Sequence, residues 1–222
     1  MIDDDSDDFR SFGVIDRQGK VMKEFLVFMA LLCLPLHACA ISGKALEGEV
    51  LEEGTNMPIV GAIVVARWSG TAFSFAESPT VCVHVLTTTT DADGKYRFHA
   101  WRKESPLKGV RDVRPIVTAH KPGYQLAQRY PANNPQLQPF AGTREERLRY
   151  IEHVFGSTGC GANDESEKNL IPFLKALQDE VQDLAQTNEE KKLVESIRYA
   201  SEKIELGYEP AQKRHLERVQ GK

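Results

Sequence analysis

Thr87-Thr88-Thr89-Thr90-Asp91-Ala92-Asp93-Gly94-Lys95-Tyr96-Arg97-Phe98 is the stretch that decides the fold class. Four threonines branch at Cβ and favour a pleated backbone. Asp91 and Asp93 can bond nearby backbone N–H groups, and Gly94 accepts positive φ, so the four residues after the threonines have turn chemistry. Beyond the turn, Tyr96 and Phe98 alternate with Lys95 and Arg97, the period of a half-buried strand. The segment therefore predicts a β-hairpin turning on Asp91, Asp93 and Gly94. A lone hairpin is only marginally stable, so more strands must lie beside it. Gly48–Val50 and Pro58–Val65 supply them upstream.

Working outward, Ala45–Leu51 predicts the first strand, and the breakers between Glu53 and Pro58 predict a turn. Ile59–Trp68 alternates imperfectly, as a strand packed on both faces does. Ser69–Pro79 reads as an inserted loop carrying Phe73 and Phe75. Val81, Val83 and Val85 then alternate with Cys82, His84 and Leu86, placing His84 opposite the valines. Arg114–His120 is a further strand, Lys121-Pro122-Gly123-Tyr124 turns the chain, and Tyr124–Arg129 returns it. Pro131–Pro139 has no periodicity and reads as a linker.

Four segments occur in order: Glu47-Gly48-Glu49-Val50, Pro58-Ile59-Val60-Gly61-Ala62-Ile63-Val64, Thr90–Phe98, and Ala119-His120-Lys121-Pro122-Gly123-Tyr124. Together they resemble the carboxypeptidase regulatory-like domain family, a small β-sandwich of the prealbumin type. The resemblance covers Lys44 to Arg129, under half of the chain. It implies an accessory domain without a catalytic centre, and it does not imply peptidase activity.

From Thr143 the apolar period lengthens. Thr143-Arg144-Glu145-Glu146 has capping-box form, with Leu148, Ile151, Val154 and Phe155 at helical spacing and Gly156 as a stop. A second helix is expected from Asp164 to Ala185, with Leu170, Leu174, Leu177, Val181 and Leu184 on one face. Thr187-Asn188-Glu189-Glu190 starts a third, lined by Leu193, Ile197, Ala200 and Ile204 and ended by Gly207 and Pro210. The last two form a helical hairpin, either packed on the β-region or offered to a partner. The expected class is α+β: a prealbumin-like antiparallel β-sandwich at 44–129, a helical region at 143–206, and a frayed polar tail at 211–222.

The N-terminal part is of a different kind. Met22-Lys23-Glu24 precedes a dozen apolar residues, Phe25–Leu36, too few to span a bilayer but suited to the core of a secretion signal at 22–40. Residues 1–21 are acidic, a poor start for such a signal, and are expected to be disordered or to precede a true start at Met22. Two cleavage schemes remain open. Leu36-His37-Ala38-Cys39 resembles a bacterial lipobox, in which Cys39 is lipidated; alternatively Ala38-Cys39-Ala40 is cut so that Ile41 leads. The expected location is the periplasm or a membrane-anchored lipoprotein, with membrane contact only through a lipid on Cys39.

Net charge is −4, of which residues 1–20 hold six Asp against three cations. The remainder is nearly neutral, which gives no field for nucleic acid. Cys82 and Cys160 are the thiols left in the folded part, and in an oxidising compartment they read first as a disulfide. Free buried thiols, or a metal set of Cys82, His84, Cys160 and His153, are the other readings. Asp91-Ala92-Asp93-Gly94 opens like a calcium loop, but Arg97, His99 and Lys103 follow where ligands belong. No zinc-binding His-Glu pair, Gly-x-Ser-x-Gly elbow or phosphate-cradling glycine loop occurs. Trp68, Phe73, Phe75 and Trp101 are candidate ligand-contact aromatics, with core packing as the plainer reading. The expected function is a non-catalytic binding or scaffolding module of the bacterial cell envelope, without cofactor, whose partner is an envelope protein or a glycan. The alternative is an envelope hydrolase or metal-binding protein using His84, His120 or His153.

Overall fold

Ile63-Val64-Val65-Ala66 is apolar without alternation because the strand it belongs to is covered on both faces. The computed structural model describes residues 40–73, 78–104, 109–127, 133–161 and 165–221. The expected extension and leader up to residue 39, with Cys39 and Phe75, lie outside them. The strands are β1 Ala40–Gly43, β2 Leu46–Glu49, β3 Leu51–Glu52, β4 Ile63–Thr71, β5 Thr80–Thr89, β6 Lys95–Phe98, β7 Trp101–Glu104, β8 Arg111–His120, β9 Tyr124–Leu126 and β10 Gln136–Pro139. The helices are α1 Arg144–Thr158, a 3-10 helix Glu165–Leu170, α2 Ile171–Leu184, α3 Asn188–Leu206 and α4 Tyr208–Gln220.

The fold is mixed α+β. A central antiparallel sheet runs β5-β4-β8; β1-β7 and β2-β6 are antiparallel pairs; β3-β10-β9 is a small third group in which β10 lies parallel to β3. On one face of β4, Val64, Ala66 and Trp68 share a core with Ile41, Val50, Tyr96, Phe98, Val117 and Leu137. On the other, Val65 joins Val85, Ile151, Phe173, Leu177, Val181 and Ile197 from the helices. Each such side chain fully buried contributes about 1.5–3 kcal/mol, so both faces of β4 are cemented independently.

The expected hairpin is not formed. β5 pairs with β4 and β6 pairs with β2, so the turn carries the chain from one sheet to another. Thr90 explains the parting. Its N–H donates to Ala62 O and its carbonyl accepts from Gly61 N, which holds the chain beside the segment entering β4 until Asp91. Its Oγ1 donates to Ile59 O at 2.6 Å and accepts from Ala62 N at 2.8 Å. The turn itself is tied by Asp91 Oδ1, which accepts from Asp93 N and Lys95 N at 2.9 and 2.8 Å. Gly94 has φ +71, and a Cβ there would lie 2.9 Å from Val50 O.

Four other expectations change. The linker at 131–139 contains β10, whose Leu137 is a core residue. α1 runs through Gly156 to Thr158. The helix expected from 164 is a 3-10 turn and then α2, divided ahead of Pro172. The tail at 211–222 is mostly α4: Gly207, at φ +89, ends α3, and Pro210 sits in the first turn of a new helix, where its missing N–H costs nothing. Arg218 anchors α4 on α3 through Glu202 at 2.8 Å and Glu195 at 3.1 Å.

Candidate functional site

A β-bulge arranges the side chains around β5. Trp68 faces His84 but Ser69 faces Cys82, so Val83 is an extra residue. Val83 and His84 consequently both turn toward the Trp68 core, whereas strict alternation set His84 opposite Val83. The His84 ring centroid lies 4.1 Å from that of Trp101 and 5.8 Å from that of Trp68. Trp68 is 2% exposed and cannot touch a ligand. Trp101 is half-buried against it at 5.5 Å, edge to face, and Gly43 lies under both indoles. Phe73 is 59% exposed. These aromatics therefore divide into a packed cluster and one exposed ring, and form no common platform.

On the helix-facing side, Cys82 and Cys160 form a disulfide. The sequence lays the Ser157-Thr158-Gly159-Cys160-Gly161 segment, small residues throughout, against β5. Arg67 of β4 holds its backbone by donating from Nη1 to Gly159 O at 3.1 Å, and burial pushes that guanidinium below its usual range. Small side chains leave room, and a cleft of about 710 Å³ opens beside the disulfide. Phe155, Leu170, Leu174, Ala200 and Ile204 line it, and Cys160, Thr158, Glu165, Glu167, Lys168, Lys203 and Tyr208 complete it. Lys168 pairs with Glu165 at 2.7 Å. Lys203 and Glu167 have no ion pair among the described residues. An apolar lining with a few charges around it is the usual make-up of a binding site.

A second cluster lies at the other end of the helical layer. Glu180 of α2 accepts from Arg147 Nε at 2.8 Å and from Gly123 N at 3.1 Å. His120 Nε2 lies 3.1 Å from its other oxygen, with side-chain exposures of 1% for His120 and 9% for Glu180. Arg147 also donates to Tyr124 O and lies over the rings of Phe140 and Tyr150. Burial raises the Glu180 carboxyl, but the bond from His120 and the charge of Arg147 outweigh it and hold it below the usual glutamate range. Burial pushes the Tyr150 hydroxyl up while that oxygen accepts from Leu126 N at 2.9 Å. Every strong partner here is internal, which marks a structural clamp joining β8, the turn after it, α1 and α2.

The histidines do not converge. His84 is in the aromatic cluster, His120 in the clamp, and His153 is exposed on α1. Cys82 and Cys160 are consumed by each other, so the mixed Cys/His metal set has lost its sulfurs. Among the described residues no three His, Cys, Asp or Glu side chains are placed to hold a metal ion. Sequence reasoning missed Arg147 and Glu180. The available signal was a charge on an apolar stripe: Arg147 precedes Ile151 by four, and Glu180 follows Leu177 by three. No helix among the described residues is long and apolar enough to cross a membrane. Comparison with known proteins returns no matching family model, no matching curated protein and no matching solved structure.

Proposed function

We propose that the chain is a non-catalytic binding module of the bacterial cell envelope, a β-sandwich of the carboxypeptidase regulatory-like kind with a helical layer that carries its binding cleft. The observation behind this reading is the cleft beside Cys82–Cys160. Its volume suits a side chain cluster of a protein partner or a small apolar ligand. Its lining offers apolar contact and a few charges around the disulfide-bonded Cys160. The disulfide supports export, because such bonds persist in oxidising compartments. A lipid on Cys39 would hold the module at the membrane; cleavage after Ala40 would leave it free in the periplasm.

Ala200 lies in the cleft lining, half-buried on α3, where an indole would fill the space. Peptide and glycan arrays, with pull-down from envelope extracts, are to be run with the native protein and with Ala200→Trp. A ligand held by the native chain and lost in the variant supports the reading. Equal retention by both, or no ligand from either source, overturns it.

A further inference from the structure

The two sulfurs in the cleft wall are not equivalent. Cys160 lines the cleft and is flanked by Gly159 and Gly161, both exposed. A Cβ built at either glycine meets nothing within 4 Å. Cys160 is thus half-buried in the cleft wall with room beside both neighbouring glycines among the described residues. Cys82, by contrast, is fixed in the β4–β5 ladder opposite Ser69, with Val81 opposite Gly70 as its neighbour. Thiol–disulfide exchange proceeds in line: the incoming sulfur approaches the far side of the sulfur it attacks, and access decides which sulfur that is. Cys160 belongs to the cleft lining, whereas Cys82 does not and sits within the β4–β5 ladder.

We infer that Cys160 is a thiol-exchange site for a dithiol protein and that its reduction releases one wall of the cleft. The inference rests on the cleft being the binding site. A partner thiolate attacks Cys160 Sγ and forms a mixed disulfide; the Cys82–Cys160 bond breaks, and Cys82 leaves as a thiolate that takes up a proton. The partner's second thiolate then attacks its own sulfur in the mixed disulfide, and Cys160 leaves and is protonated. The chain gains two electrons and two protons, and the partner ends as a disulfide.

The rest of the structure confines the change. After reduction the loop keeps the Arg67 bond to Gly159 O, and the 3-10 helix keeps Asn169 Nδ2 on Val85 O at 3.0 Å. Cys160 packs only at the edge of the core around Phe173 and Leu177, and the Glu180 clamp involves neither sulfur. Reduction thus loosens the Gly159–Gly161 part of the wall while the helices stay seated on the sheet.

The oxidised full-length chain is to be mixed with a thioredoxin-like dithiol protein whose second cysteine is replaced by alanine, so that the mixed disulfide is trapped. Peptide mapping should find the partner on Cys160 over Cys82 by at least about tenfold. Equal trapping, trapping on Cys82, or reaction only in denaturant overturns the assignment. A second measurement titrates 8-anilino-1-naphthalenesulfonate into the oxidised and the dithiothreitol-reduced protein, with Ala200→Trp as the control for the cleft. Binding that is sensitive to Ala200→Trp should change by about threefold or more on reduction. Unchanged affinity overturns release of the wall. Binding insensitive to Ala200→Trp in both states overturns the cleft reading and the wall release with it, whereas the mapping still decides which sulfur is attacked.

Discussion

Replacing Glu180 by alanine leaves Arg147 buried without its counter-charge and His120 Nε2 buried without its neighbouring carboxylate. The side chains concerned are 5% and 1% exposed, so water cannot substitute for the carboxylate. Removing one partner of a buried ion pair costs about 3–5 kcal/mol. Gly123 N–H loses its acceptor as well, adding about 1 kcal/mol. The expected loss is therefore about 4–6 kcal/mol, a large fraction of the stability of a domain of this size. Changing both Arg147→Met and Glu180→Leu should recover most of it, because a buried pair exchanged for apolar side chains of similar volume is close to neutral. The assay is urea unfolding of the oxidised protein at pH 7, followed by tryptophan fluorescence. The pH dependence follows from the carboxyl being held below its ordinary 4.5. A depressed carboxyl stabilises the fold fully above pH 4.5, and that contribution is lost as pH falls through the folded-state value. The gap between native protein and Glu180→Gln should narrow below pH 4.5. A cost for Glu180→Ala under about 1 kcal/mol, or a double variant as unstable as the sum of the singles, would refute the clamp.

Three further outcomes are expected. Cys82→Ala with Cys160→Ala should cost about 4.5 kcal/mol by loop entropy for a separation of 78 residues, read as a lower urea midpoint with an unchanged far-ultraviolet spectrum. Gly43→Ala should cost about 1–3 kcal/mol and alter near-ultraviolet circular dichroism, since its Cβ would run into Trp101 Nε1 and lie 2.7 Å from Trp68 Nε1. Thr90→Val should cost about 2–4 kcal/mol at nearly constant volume, because Ile59 O and Ala62 N each lose a buried partner; calorimetry showing less than about 1 kcal/mol would mean that water replaces the hydroxyl.

What the sequence made legible was local or covalent. The two capping boxes form at Thr143 and Thr187, each with its glutamate returning to the cap N–H, because all the atoms involved lie within four residues. The disulfide was legible because the compartment and the small number of thiols restrict the pairing. The failures come from pairing at a distance. Nothing in Thr87–Phe98 distinguishes a hairpin from a crossing between sheets; Ile59 and Ala62, some thirty residues earlier, decide it by capturing Thr90. The bulge at Val83 is likewise set by how β4 and β5 lie together, so no period within β5 alone could place His84. β10 escaped notice because a four-residue strand between polar residues has no period, and Leu137 is its one clear apolar anchor. α4 was hidden by reading Gly207 and Pro210 only as a stop, although the same pair can open a helix. Of the site, the sulfurs were legible; the cleft was not, since its walls come from four α-helices and the 3-10 helix, whose relative placement is a packing result.

The double covering of β4 bears on how this molecule can be divided. A protein excised at residues 44–129, the limits of the family resemblance, would keep Ile63, Val65 and Val85 but strip away Ile151, Phe173 and Ile197, leaving a wet hydrophobic plateau. It would also lose β10 and Leu137, and with them the tie between β3 and β9. Such an excerpt should clump when expressed, and adding back the chain to Leu206 should cure it. The borders of the segment that carries the resemblance and the borders of the smallest foldable piece are then different places on this chain.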